Sequence, residues 1–176
     1  MQFHLTTLCD VWLVHLEPVR DDRGFFARTF CVEEFAAHGL ETNYPQHSIS
    51  FSPRKGTLRG MHYQQDPHSE VKLVRCLQGA IWDVIIDIRR DSPTYRRWDA
   101  FELSGINRRQ LYIPKGFAHG FQTLTDDVEV SYLISETYAP KASTGIRHDD
   151  PTFAIAWPLP ITEISEKDLL WPNFAH

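Results

Sequence analysis

Residues 71–88 read V-K-L-V-R-C-L-Q-G-A-I-W-D-V-I-I-D-I, two apolar runs on either side of Gln78-Gly79. Runs rich in Val, Ile and Leu that are separated by a glycine turn are typical of paired antiparallel strands. In the second run Asp83 and Asp87 alternate in phase with isoleucines, so both carboxylates share a strand face with apolar side chains. The two strands predicted here are Val71–Leu77 and Ala80–Ile88.

Short runs of the same kind recur along the chain, bounded by Gly, Pro, Asp or Ser. Many short strands at such spacing predict an all-β sandwich or barrel. Helical signals are confined to Val32–His38, which Gly39 would end, and to Ser165–Leu170, where Ser165 would cap the first turn. The other predicted strands are Val11–Leu16, Gly24–Phe30, Gly56–Tyr63, Trp98–Leu103, Gln110–Ile113, Gly120–Leu124 and Val128–Ser135.

The composition changes little along the chain, and we predict one domain over residues 1–176. From about residue 140 the chain is rich in Pro, Asp and Trp, and we expect this segment to wrap the barrel. The net charge of -5 argues against a nucleic-acid binder. Three widely spaced cysteines, no apolar run long enough to span a bilayer and no signal-peptide pattern predict a cytoplasmic protein without membrane contact.

Several polar side chains on the predicted strands are candidates for chemistry. His62 suits a general base, although a hydrogen-bonded core or surface histidine fits its pattern as well. Lys72 shares a strand face with Glu70, and an inward lysine would need an anion, so an outward face with ordinary charges is the simpler interpretation. His119 lies among Phe and Gly, where a buried histidine is more common than a catalytic one. A strand tyrosine such as Tyr132 is by itself an ordinary core or interface residue.

These side chains first suggest a metal-dependent cupin that binds iron, manganese or zinc. Gln64 stands where the second histidine of an H-x-H ligand pair would lie, and Lys72 would repel a cation. We therefore expect neither a metal nor another cofactor. The ligands of the disfavoured metal site would be His62, His68, Glu70 and His119.

Motifs that match one known family follow each other in order over nearly the whole chain. They are Arg23–Phe26, Gly56–Gln64, Lys72–Arg75, Trp82–Val84, Asp87–Arg89, Ser92–Thr94, Arg109–Pro114, Gly116–Phe121, Tyr138–Pro140, Asp150–Pro151, Ile155–Pro158 and Ser165–Asp168. This ordered set resembles the dTDP-4-dehydrorhamnose 3,5-epimerase family, a metal-free branch of the cupins. The resemblance implies a cupin-type double-stranded β-helix, or jelly roll, with one or two short helices.

The resemblance also implies an isomerase that acts on a nucleoside-diphosphate 4-keto-6-deoxy sugar, with the dTDP-linked sugar as the main expectation. The ketone at C4 makes the protons at C3 and C5 removable through an enolate. The family pattern gives His62 as the base, Asp168 as the carboxylate that orients it, and Tyr132 as the acid on the opposite face. Lys72 would stabilise the charge that develops on the C4 oxygen. The implied pathway makes deoxysugars such as rhamnose for cell-surface polysaccharides.

A nucleotide-binding site and a homodimer with exchanged or shared N-terminal strands are further implications of the resemblance. Arg23 and Arg59 would bind the diphosphate, and Tyr138 would stack on the base. His119 would contact the substrate, oriented by Asp83. The other implied substrate-binding residues are Phe26, Arg28, Gln46, Ser48 and Lys167.

Three positions depart from the family pattern, all on the nucleotide side. Arg28 stands where the family commonly has Glu, Ser48 where it commonly has Asn, and Ser143 where it often has Glu. The same chemistry on a CDP- or GDP-linked 4-keto sugar is therefore an alternative. A metal-dependent cupin enzyme and a non-catalytic sugar-nucleotide binder are the others. Inversion at C3, C5 or both stays open, because it depends on the pose and ring flip of the sugar.

Overall fold

The computed structural model describes residues 1–175, which form mostly antiparallel strands and two short helices, α1 (Val32–Ala37) and α2 (Glu166–Leu169). The strands are β1 (Gln2–Leu5), β2 (Trp12–His15), β3 (Val19–Asp21), β4 (Gly24–Phe26), β5 (Gln46–Ser52), β6 (Thr57–Gln64), β7 (Lys72–Gln78), β8 (Ala80–Asp87), β9 (Trp98–Ser104), β10 (Arg109–Ile113), β11 (Phe117–Thr123), β12 (Val128–Ile134), β13 (Ser143–Gly145) and β14 (Glu163–Ile164).

The strands assemble into two large sheets and one small hairpin. The first sheet has the order β1-β2-β10-β7-β12-β5, and the second has the order β13-β6-β11-β8-β9 with β14 added beside β6. Strands β3 and β4 pair with each other. Apart from the parallel pair β14–β6, the pairings described are antiparallel. This is the jelly roll of the cupins, as the sequence predicts.

Strand β8 shows how alternation divides the apolar side chains between two layers. Ile85 is fully buried in the cluster that includes side chains of both sheets, whereas Val84 belongs to a second cluster. Full burial of such a side chain contributes about 1.5–3 kcal/mol. Asp83 and Asp87 lie on the face of Ile85 and are 0% exposed, which confirms their predicted phase.

Further layers cover the outer faces of the two sheets. Helix α1 places Phe35 against the first sheet, where its ring is fully buried. On the second sheet, Ile146, Phe153 and Trp157 come from the segment after residue 140. The indole N–H of Trp98 on β9 donates to the Phe153 carbonyl at 2.8 Å and so fixes this segment in place. No helix within residues 1–175 has the length and apolar character to cross a membrane.

The sequence predictions differ from the structure at strand ends and at strands that are short or exposed. The predicted strand over residues 24–30 ends at Phe26, and the one predicted to begin at Gly120 begins at Phe117. Strands β1, β3, β5, β13 and β14 were not predicted. In β5 the apolar residues Ile49 and Phe51 are exposed, and serines face the other way, so its alternation is the reverse of a core strand.

Candidate active site

A cleft of about 790 Å³ is lined by side chains of β5, β6, β7, the segment around Tyr138, and α2. Strand β6 contributes six lining residues, more than any other strand. The structure brings more than half of the predicted site residues to this cleft. They are Gln46, Arg59, His62, Lys72, Tyr138, Lys167 and Asp168.

His62 and Asp168 form a close pair in the cleft, with His62 Nε2 2.6 Å from Asp168 Oδ1. Ser165 caps α2 by accepting from the Asp168 N–H at 3.1 Å, which sets the carboxylate over β6. Burial raises the pKa of Asp168, but hydrogen bonds from His62, the Gly60 N–H and Trp171 Nε1 outweigh burial and hold this pKa below its usual range. An ionised Asp168 fixes the ring and stabilises its protonated form.

Lys72 and Glu70 form a second pair in the cleft, with Lys72 Nζ 2.9 Å from Glu70 Oε1. Their side chains are only 13% and 6% exposed, so the outward-facing interpretation of this strand is wrong. Lys72 Nζ also donates to the His62 carbonyl at 3.4 Å, which places the ammonium next to the histidine. The anion that an inward lysine needs is Glu70.

His119 lies directly opposite His62 on the neighbouring strand β11. It is buried, and its Nε2 is 2.7 Å from Oδ1 of the fully buried Asp83. Gly60 and Gly120 let the two strands approach closely here, because a Cβ on Gly120 would lie 2.7 Å from the Arg59 carbonyl oxygen. The close approach of β6 and β11 places both histidines on neighbouring strands of the same sheet.

Tyr132 lies on β12 of the facing sheet, with its ring centroid 6.4 Å from that of His119. Its hydroxyl is 3.0 Å from Ser50 Oγ. Burial raises the pKa of Tyr132 well above its usual value, so the phenol keeps its proton at neutral pH. Tyr132 thus packs edge-on against His119, whose backbone pairs with that of His62.

Polar and aromatic groups surround the mouth of the cleft. Arg59 Nε donates to Ser52 Oγ at 3.1 Å, and Arg59 Nη2 donates to the Phe51 carbonyl at 3.0 Å, so β5 holds the guanidinium. Gln46 Oε1 accepts from the Tyr138 N–H at 2.9 Å, while the Tyr138 side chain stays exposed. An exposed aromatic ring beside fixed cations can hold a planar anionic ligand.

Five predicted substrate-binding residues do not line this cleft: Arg23, Phe26, Arg28, Ser48 and His119. The predicted acid Tyr132 does not line it either. Arg23 on the β3–β4 hairpin is 90% exposed and pairs with Asp21, and Phe26 is 77% exposed. Arg28 pairs with Glu34 of α1 at 3.0 Å. Ser143, the other position that departs from the family pattern, lines the cleft.

Within residues 1–175, His, Cys, Asp and Glu side chains form no group of three that could hold a metal ion. Of the four ligands considered from the sequence, His62 and His119 are paired with aspartates, and Glu70 is paired with Lys72. The expectation of a metal-free protein stays a prediction.

Ser50 and Trp171 contact the key side chains, yet sequence reasoning assigned neither a role. Ser50 meets the Tyr132 hydroxyl, and Trp171 donates to Asp168 at 3.2 Å. Each had a weak signal: Ser50 follows Gln46 and Ser48 at every second position, and Trp171 follows the predicted second helix in a Trp-Pro pair.

Comparisons with known proteins point to one family. A family model described as dTDP-4-dehydrorhamnose 3,5-epimerase matches residues 5–176. The chain is 42% identical over 173 residues to dTDP-4-dehydrorhamnose 3,5-epimerase of Methanothermobacter thermautotrophicus, covering 97% of this chain and 92% of that relative. The Bacillus anthracis dTDP-4-dehydrorhamnose 3,5-epimerase structure, with TDP and PPi bound, matches with a TM-score of 0.94 at 39% identity, over 98% of this chain and 99% of the other. A Legionella pneumophila dTDP-6-deoxy-D-glucose-3,5-epimerase in complex with dTDP-4-keto-L-rhamnose matches with a TM-score of 0.92 at 36% identity, over 98% and 92% of the two chains.

Proposed function

Because the chain belongs to the dTDP-4-dehydrorhamnose 3,5-epimerase family, we propose that it epimerises a dTDP-linked 4-keto-6-deoxyhexose at C3, C5 or both. The observation that carries this proposal is the His62–Asp168 pair at 2.6 Å in a cleft that also holds Lys72. A base, an orienting carboxylate and a cation together suit proton abstraction next to a carbonyl.

His62 is the proposed base. With its Nε2 directed to Asp168, the neutral ring carries its proton there and leaves the lone pair of Nδ1 for the substrate. Taking a proton from C3 or C5 turns His62 into an imidazolium, which the ionised Asp168 stabilises. A positioned base of this kind contributes on the order of 10²- to 10⁴-fold to the rate.

Tyr132 is the proposed acid, and Lys72 is the proposed enolate stabiliser. The neutral Tyr132 hydroxyl, held by Ser50, has a proton to deliver to the face opposite His62. The Lys72 ammonium would lie against the C4 oxygen, where negative charge develops as the proton leaves. Return of a proton from the opposite face inverts the carbon.

The proposed nucleotide site combines two surfaces. Arg59, Lys167, Gln46 and Tyr138 line the cleft and would hold the diphosphate and base. His119, oriented by Asp83, would contact the sugar from its position beside His62 on the neighbouring strand. Ser48 faces the same side of β5 as Gln46 by alternation, so it would extend this surface.

The residues on and after the β3–β4 hairpin, Arg23, Phe26 and Arg28, are proposed to act in a homodimer. The hairpin strands pair with each other, and their residues are exposed, including Phe25 and Phe26. In the proposed dimer this hairpin reaches the cleft of the other subunit, where Arg23 binds diphosphate and Phe26 packs on the base. We further propose that the chain is one cytoplasmic domain that works without a metal in the synthesis of rhamnose-type sugars for cell-surface polysaccharide.

The test is solvent exchange in deuterated water with dTDP-, CDP- and GDP-linked 4-keto-6-deoxyhexoses, followed by NMR of the C3 and C5 protons. We expect deuterium at C3, C5 or both, at least about tenfold faster with the dTDP sugar than with the others. Absence of exchange with all three sugars would falsify the catalytic proposal. Near-stoichiometric iron, manganese or zinc, with activity lost to a chelator, would contradict the metal-free mechanism.

A further inference from the structure

Glu70 carries a buried oxygen whose partner the protein does not supply. Its Oε1 pairs with Lys72 Nζ at 2.9 Å, but among residues 1–175 its Oε2 has no hydrogen-bond partner. The side chain is 6% exposed, so water has little access to it. Buried polar atoms in native proteins are nearly always hydrogen-bonded, and an unpaired carboxylate oxygen is costly.

The backbone around Glu70 directs this oxygen into the cleft. The Val71 N–H donates to Ser135 Oγ at 2.8 Å, and the Val71 carbonyl accepts from the Ser135 N–H at 3.0 Å. With Val71 fixed and its own side chain buried, Glu70 and Lys72 point to the opposite side. Both line the cleft beside His62.

We infer that Glu70 Oε2 accepts a hydrogen bond from the 3-hydroxyl of the sugar, so that Glu70 selects substrates with a hydroxyl next to the ketone. The inference rests on the proposed function, in which Lys72 faces the C4 oxygen. Of the two carbons next to C4 in a 4-keto-6-deoxyhexose, C3 carries a hydroxyl, whereas C5 carries the ring oxygen and a methyl group. A carboxylate paired to the ammonium that holds O4 therefore meets the 3-hydroxyl.

This role differs from simply holding Lys72. A residue that only positions the ammonium affects every 4-keto sugar alike, because each has the same C4 oxygen. An acceptor for the 3-hydroxyl affects only the sugar that carries it. A site built to hydrogen-bond a substrate hydroxyl discriminates against the analogue without it, because its polar group is then left unpaired.

The experiment compares two dTDP-linked substrates, the 4-keto-6-deoxyhexose and its 3-deoxy analogue, by exchange at C5, which both retain. In the wild type we expect kcat/KM for the 3-hydroxy sugar to exceed that for the analogue by about 10- to 100-fold, the range for one hydrogen bond to an ionised acceptor. In Glu70→Ala this ratio should fall to about 1–3. In Glu70→Gln it should fall by at least about threefold, because Lys72 takes the amide oxygen and the amide N–H₂ faces the hydroxyl.

The matched control is Asp149→Asn, a carboxylate paired with Arg147 outside the cleft, which should leave the ratio unchanged. An unchanged ratio in both Glu70 variants, with equal losses on the two sugars, overturns the inference and leaves Glu70 as a positioning residue. If Glu70→Ala does not fold, the ratio in the near-isosteric Glu70→Gln decides. A wild type that exchanges neither sugar overturns the proposed function itself, a result distinct from an unchanged ratio.

Discussion

Two regions of the molecule bury carboxylates in opposite ways. In the corner formed by residues 87–94, the fully buried Asp87 accepts five hydrogen bonds from Arg89, Ser92 and Thr94, so both its oxygens are satisfied. Near the cleft, Glu70 and Asp83 each have one oxygen without a partner among the described residues.

This difference distinguishes a carboxylate that stabilises the fold from carboxylates that are available to a ligand. The corner satisfies its own polar atoms, and the network can only stabilise the fold. The cleft region leaves acceptors unpaired at a cost in folding free energy, which is the arrangement expected where a ligand completes the network. We therefore expect changes in the corner to affect unfolding and changes in the cleft to affect chemistry.

The largest expected effect is in the cleft. His62→Ala should lower exchange at C3 and C5 by about 10³-fold or more, roughly 4 kcal/mol of transition-state stabilisation, because the proposed base is lost. Binding of dTDP, measured by calorimetry, should change by less than about threefold. Exchange within tenfold of the wild type, with Asp149→Asn as the reference variant, would show that another group is the base.

The next effect is in the corner. Asp87→Asn should lower the free energy of unfolding by about 3 kcal/mol in urea titrations at neutral pH, because a buried ion pair loses one partner. Turnover per folded molecule should not change. Asp149→Asn, an exposed pair, should cost less than about 1 kcal/mol.

The corner variant also carries a pH dependence. Burial raises the pKa of Asp87, but hydrogen bonds from Arg89, Ser92 and Thr94 outweigh it and hold this pKa below its usual range. A lowered folded pKa contributes stability above about pH 4 that is lost as the pH falls through the folded value. The difference in free energy of unfolding between wild type and Asp87→Asn should therefore be smaller at about pH 3 than at neutral pH. A difference that does not change with pH would contradict a lowered pKa of Asp87.

The smallest expected effect is that of Tyr132→Phe, which separates removal of the proton from its return. Tyr132→Phe should slow formation of the epimer by about 10²-fold, because the proposed acid is lost, while deuterium still enters through His62. NMR measures incorporation and inversion separately in one sample. The lost hydrogen bond to Ser50 should change stability by only about 1 kcal/mol. Normal epimer formation would remove Tyr132 from the mechanism.

The sequence predicts strands best where burial and alternation coincide. Strand β8 was found with its acidic residues in the correct phase, since its side chains are mostly buried. Strand β5 was missed because its exposed apolar residues and inward serines reverse the usual pattern. The shared face of Glu70 and Lys72 follows from alternation, but the sequence favoured an outward face and the structure buries both side chains.

Contacts between residues that are far apart in the sequence could not be predicted from local patterns. His62 and Asp168 are separated by 106 positions, and their meeting depends on how α2 docks on β6. The opposition of His62 and His119 depends on strand register, which local patterns leave undetermined. The resemblance to a family supplied these residues, while physical reasoning on the residues alone left each open to a structural role.

The position of Asp168 in α2, far behind His62 in the chain, has a consequence during translation. Translation adds about 5–20 residues per second from the amino end, and Asp168 follows His62 by 106 positions. The ribosome therefore makes the histidine roughly 5–20 s before it makes the carboxylate. The strands that carry His62, Lys72, His119 and Tyr132 are synthesised before either residue 168 or the helix that holds it. A nascent chain thus lacks the proposed proton-transfer pair until translation passes α2.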